Sequence, residues 1–222
     1  MKKNIFLALI IAFPFFFLNS CKKDDTEKTV NDEGLTEEIV NLVPASILDE
    51  IESLGMPIYG GVTPPNIENS YVASPFVLTA SNIQSDQIGH TYSNYYVKFY
   101  NQDHSELSIS MNYLNGPESG TGIGSYIVGE NDKFSVFCEV NAEVNGSTAK
   151  FVHIISGEWT TNGIQDLYFS NFMLDNNGNP TGYWIENGAG RVIYDSDGFS
   201  PITDSFRITN RSDKKGIGAK SF

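Results

Sequence analysis

The side chains able to do chemistry are few: three histidines and two cysteines in 222 residues. His90 and His104 sit in turn-rich stretches, and His153 stands between Val152 and Ile154 in an apolar run. No two histidines have a metal-ligand spacing such as His-x₃-His, and no second cysteine stands near Cys138 to support a zinc site. No Gly-x-Ser-x-Gly elbow accompanies His153, so a serine triad has no local signature. Cys138 alternates with Phe134, Val136 and Val140, which makes it a small core residue rather than a reactive thiol. Glu139 and Glu158 fall on the less apolar faces of their runs and read as solvated carboxylates, while a glycosidase pair on separate strands would leave no local signature. The expectation is a non-catalytic protein without cofactor or metal.

Two stretches have the alternating oxygen ligands of a calcium loop. Asp175-x-Asn177-x-Asn179 places Glu186 at the twelfth position, but Pro180 stands where the sharp turn requires glycine. Asp195-x-Asp197-Gly198, with Asp204 nearby, suits either a calcium site or the end of a strand. The aromatic residues are more suggestive. Tyr92, Tyr96 and Tyr100 share one face of a run whose other face carries Tyr95 and Phe99, and Trp159, Tyr168, Phe169, Phe172 and Trp184 follow. They make either a core with edge cover or a platform for a small apolar molecule or a glycan. The residues expected to contact such a ligand are Tyr92, Tyr96, His153, Trp159 and Phe172.

These residues are carried by period-two segments from Tyr71 onward. Ser93 to Phe99, Glu106 to Tyr113, Phe134 to Val140, Ala149 to Trp159, Leu167 to Leu174 and Gly190 to Tyr194 all alternate or run apolar. The breaks between them are short and turn-like, with Asn145-Gly146 and Asn162-Gly163 as hairpin signals. About eight strands in a row without a crossover helix predict an all-β fold, an antiparallel up-and-down meander. Hairpin-short connections favour a barrel, with a β-sandwich as the alternative. Upstream, Pro44 to Leu54 has a helical stripe of Ile47, Leu48, Ile51 and Leu54 stopped by Gly55. One short helix before a barrel resembles lipocalins in architecture. Where lipocalins carry Gly-x-Trp this chain reads Asn69-Ser70-Tyr71, and Arg191 is placed for the late arginine that packs over that aromatic.

The N-terminus carries an address. Lys2 and Lys3 precede an apolar run, Ile5 to Leu18, which falls short of the roughly 20 residues that span a bilayer and suits a signal peptide. Leu18-Asn19-Ser20-Cys21 resembles the bacterial lipobox. That resemblance implies cleavage between Ser20 and Cys21 and lipid on the Cys21 sulfur, so that the partner is a bilayer. Lys22-Lys23-Asp24-Asp25 resembles the export signal of Bacteroidota lipoproteins and implies the outer membrane, at the cell surface. Leu54 to Gly61 with Pro64-Pro65-Asn66-Ile67 resembles a segment recurring in a family of Bacteroidota lipoproteins. Phe134 to Glu139, Ser156-Gly157, Gly190-Arg191-Val192 and Asp195 to Gly198 resemble its later segments. This resemblance implies a compartment and no site residues.

The domain plan is then a signal peptide over 1–20, a lipidated tether over 21–43, helix and Gly/Pro connector over 44–65, a barrel over 66–210 and a polar tail over 211–222. The formal net charge of −13 argues against nucleic acid and against docking on anionic lipid. With Cys21 committed to lipid, Cys138 has no partner for a disulfide within the chain. Nothing in the sequence points to a protein partner.

Overall fold

A computed structural model describes residues 28–206 apart from Asn145. The signal segment, Ser20, Cys21, Lys22 to Asp25 and the 211–222 tail lie outside the described residues. The elements in order are α1 (Glu37–Leu42), α2 (Ala45–Ser53), β1 (Val62–Thr63), β2 (Asn69–Ala73), β3 (Phe76–Ser81), β4 (Thr91–Tyr92), β5 (Tyr95–Asp103) and β6 (Ser108–Asn115). They continue with β7 (Glu118–Thr121), β8 (Ile123–Glu130), β9 (Lys133–Val144), β10 (Ser147–Thr160), β11 (Gly163–Asp175), β12 (Gly190–Asp195) and β13 (Phe199–Pro201).

The fold is mostly β, antiparallel and barrel-like, as the alternation predicts. Its pairing order is β2-β5-β6-β8-β9-β10-β11-β12-β3-β4. The two ends of that order are parts of the same hairpin. Ala73 opposes Tyr95 and Phe76 opposes Tyr92, so β2–β3 and β4–β5 keep one register through a bend at Pro75. Beyond the bend β3 pairs with β12, and before it Tyr71 bridges Ile202 just past β13. The sheet therefore curls until its last strands meet its first. Asp195 clips the junction: Ser74 N donates to its Oδ1 at 2.9 Å and Ser200 Oγ to its Oδ2 at 2.5 Å.

One face of the sheet turns inward and is the lumen side. Tyr71, Phe99, Phe134, Val136, Ile155 and Leu167 belong to the contiguous buried cluster there. The other face is covered only in part. Val128, Phe137, Val152, Ile154, Phe172 and Val192 point outward and meet Leu35, Ile39, Val43, Ile47 and Ile51. The middle strands are thus buried on both sides, which is why residues 134–138 are all buried rather than alternating. Helix α2 starts at Ala45 as its stripe predicts, on the flank of the barrel. Helix α1 corrects the expectation of one helix and of a structureless tether through residue 43. Thr36 caps it by accepting from Ile39 N, and six residues are too few to display a helical period. Near it the backbones of Gly34 and Gly60 cross; a Cβ on Gly60 would lie 2.1 Å from the Glu33 carbonyl oxygen.

Two further differences concern strands. The glycine-rich stretch Asn115 to Gly124, which has the composition of a turn, contains β7, which leads into β8 and pairs with β6. Tyr183 to Ile185, apolar and aromatic like the strands, is not in a strand. Strand β9 outruns its neighbour: β8 pairs with it only as far as Glu139, and residues 140–144 face no strand on that side among the described residues.

Ile39 and Ile51 are fully buried against the barrel flank. Each isoleucine-to-alanine replacement should cost about 2–5 kcal/mol, read as a lower urea midpoint. A chain starting at residue 44 should also lose midpoint against one starting at residue 28. Equal midpoints would show that α1 does not dock.

Candidate functional site

The lumen is divided by chemistry. Its end near the 131–132 and 161–162 turns is apolar. Its other end, near the 116–117 turn and Gly146, carries a belt of polar side chains. Register sets the belt: His153 stands opposite Cys138 on one side and Asn171 on the other, and Asn171 stands opposite Arg191. All four are buried. Tyr95 from β5, Tyr113 from β6, Glu118 from β7 and Ser125 from β8 complete it.

Aromatic rings form the floor. Tyr95 stacks on Phe76 with centroids 4.9 Å apart, and Phe169 packs against Tyr95 at 4.9 Å. His153 meets Phe169 edge-on at 4.9 Å and Tyr113 at 5.1 Å. The Tyr113 ring fits because its cross-strand neighbour is glycine: a Cβ on Gly120 would sit 2.6 Å from the ring. Above the belt the long β9–β11 hairpins add Val144, Ala149, Phe151 and Met173, and Trp184 from the β11–β12 connection packs with them, its Nε1 donating to Ser147 Oγ at 2.9 Å.

Hydrogen bonding in this belt is incomplete. Tyr95 Oη, Ser125 Oγ, His153 Nδ1 and Asn171 Oδ1 are buried without a partner. Ser125 and Asn171 lie close enough to Cys138 and His153 to influence their protonation, yet neither Ser125 Oγ nor Asn171 Oδ1 makes a hydrogen bond of ordinary geometry. A buried polar atom left unpaired costs about 1–3 kcal/mol. All four lie in the one belt.

The charge states are set by burial. Burial pushes the His153 imidazole down to about 3, against a pull upward from Asn171, so it is neutral. Burial pushes the Cys138 thiol up to about 12, so it is not a thiolate. Burial raises the Tyr95 and Tyr113 hydroxyls well above their ordinary value. Glu118 is lifted to about 7 by burial, while the Tyr113 hydroxyl, donating to its Oε1 at 2.9 Å, pulls it down. A neutral imidazole with so low a pKa is a poor base, and a protonated thiol is a poor nucleophile.

The five residues expected to bind a ligand are not brought together. His153 is in the belt. Tyr92 is half-buried at the same end, packed on the lumen cluster and edge-on to His90. Trp159 reaches the lumen cluster from the opposite end, where its backbone N–H donates to Asp132 O. Tyr96 projects from the outer face of β5, and Phe172 is buried beneath the helices on the outside. Tyr95, Tyr113, Ser125, Asn171 and Arg191 are belt residues that the sequence does not mark as ligand contacts. The signal that points to them is register across strands, which no single segment displays.

The calcium alternatives have their oxygens engaged. Asp195 holds Ser74 and Ser200, Asp197 accepts from Phe199 N, and Asp175 accepts from Asn177 N. Among the described residues no group of three or more His, Cys, Asp and Glu side chains is placed to hold a metal ion. No protein-family model, curated protein or solved structure matches the chain.

Glu118 titrates at about 7 in the fold against an ordinary 4.5, so the fold favours its neutral form. That contribution is intact below the ordinary value and is lost as pH rises through about 7. Glu118→Gln should therefore raise the melting temperature relative to wild type near pH 8, and leave it unchanged near pH 4. Equal melting temperatures at both pH values would mean that the carboxyl is well solvated.

Proposed function

We propose that this chain is a surface lipoprotein of the outer membrane, anchored through Cys21 and exported by Lys22 to Asp25, whose barrel binds a small molecule without transforming it. The observation that carries the binding reading is the set of unpaired atoms at Tyr95, Ser125, His153 and Asn171 around an aromatic floor. The rings offer apolar area and stacking to a small apolar body or a sugar ring, and the unpaired atoms offer orientation. The neutral imidazole and protonated thiol favour holding over reacting. No helix among the described residues is long and apolar enough to cross a membrane, and a lipid on Cys21 supplies attachment without one.

A second reading has its own support. The apolar end of the lumen is packed with Tyr71, Phe99 and Phe134, each nearly or fully buried. If water alone completes the belt, the barrel is a filled structural element of the envelope.

Cys21→Ala should move the protein from membranes to a soluble fraction; a variant that still pellets with outer membrane removes the anchor. Alanines at Lys22 to Asp25 should shield the domain from protease added to intact cells. The soluble protein from its own host should retain a small molecule in native mass spectrometry, released on unfolding. A bare chain mass supports the filled barrel instead.

A further inference from the structure

Arg191 is the only lysine or arginine among the described residues that is buried. Register puts it on the lumen side, opposite Asn171 and one strand removed from His153. Its guanidinium is held in a two-point grip by Asp86: Nε donates to Oδ2 at 2.6 Å and Nη2 to Oδ1 at 2.9 Å. Ser81 Oγ donates to the same carboxylate at 2.6 Å. Burial pushes the Asp86 carboxyl up, but Arg191 and Ser81 outweigh it and keep the group below its ordinary range.

The source of that carboxylate is informative. The barrel wall does not provide it. It comes from the connection between β3 and β4, where Gln84, Ser85, Gln87 and Ile88 are exposed, Ile88 at 61%. Asp86 is turned inward from this rim segment onto the one cation of the belt. A paired arginine fork fits carboxylates by shape as well as charge. The other members of the belt suit the same guest. Tyr95 and Ser125 carry hydroxyl donors, neutral His153 can carry its proton on either nitrogen, and the Asn171 amide can present its NH₂ by rotation.

Building on the binding reading above, we infer that the ligand carries a carboxylate, and that it docks by taking Arg191 from Asp86. The Asp86 carboxylate marks where the acid group of the ligand sits, and the 82–90 segment is the lid that this exchange releases. The ring or chain attached to the acid lies over Tyr95, Tyr113 and Phe169. Two kinds of molecule share this chemistry: an aromatic or aliphatic acid, and an acidic sugar.

The test is a titration of the wild-type domain followed by ¹⁵N NMR at the Arg191 Nε and the amides of residues 83–88. Four probes are used: benzoate with its neutral counterpart benzamide, and glucuronate with glucose. At least one acid should shift those signals up to millimolar concentration while its neutral partner does not, and the responding pair tells which source the site prefers. Asp86→Asn should bind that acid about tenfold more tightly, because the competing carboxylate is gone. It should also lose melting temperature, as Arg191 loses the Asp86 carboxylate, and the acid should restore it. A neutral probe that matches its acid, or signals that no acid moves, overturns the inference. The titration reads Arg191 and the host-purified protein reads the occupancy of the barrel. A retained neutral molecule would leave the binding barrel standing and remove the carboxylate.

Discussion

Everything in this molecule depends on the sheet finding its own beginning. Strand β3 must accept β12 as a neighbour, and Tyr71 must bridge Ile202, before there is an inside at all. An open antiparallel sheet would bury one face at most and would leave two bare edges. The bend at Pro75 lets one continuous strand serve both partners, β12 beyond it and the β13 side before it. Asp195 stitches the three pieces together at that point, and burial lifts its carboxyl to about 6. It is a costly group to bury, and two hydrogen bonds offset the cost.

Closure creates two different environments from the same strands. The inward face has a dry aromatic end and a polar end. The outward face is dry only where α1 and α2 cover it. Strand β10 shows the consequence. Val152 and Ile154 face the helices, His153 and Ile155 face the lumen, and all four are buried. His153 is neutral for that reason alone. Arg191 stands in the same surroundings with the Asp86 carboxylate beside it. The belt thus holds one histidine without charge and one arginine with a borrowed partner.

The architecture is legible in the sequence wherever one face is solvated. β5 and β6 alternate cleanly, and the turns that bound them are visible beside them. The Pro44 to Leu54 stripe marks α2, since four apolar residues at helical spacing fit little besides an amphipathic helix. Legibility fails where information is shared between segments. Helix α1 is specified by one capping threonine and by the strands it covers. The bulged continuity of β7 into β8 is hidden by Gly120, Gly122 and Gly124, which read as turn formers. Phe172 resembles a ligand contact because a strand buried on both faces gives no cue about which side is in. Tyr95 and Asn171 look ordinary because their unpaired atoms exist only relative to other strands.

The bond from Thr79 Oγ1 to the Val192 carbonyl joins residues 113 positions apart. Many other strand pairs in the meander are hairpins between neighbouring strands, although β1 with β8 and β11 with β13 are not. The closing pair of β3 with β12 spans the longest separation of the strand pairs, and its loop-closure entropy is the largest. The helices depend on it too, since their buried face rests on Phe172 and Val192 as well as on earlier strands. Until the last strands are in place, the chain is a ladder of hairpins with an idle edge at β3 and an uncovered outer face. The final fifth of the described chain is therefore the latch: it converts a string of independent hairpins into a single cooperative body.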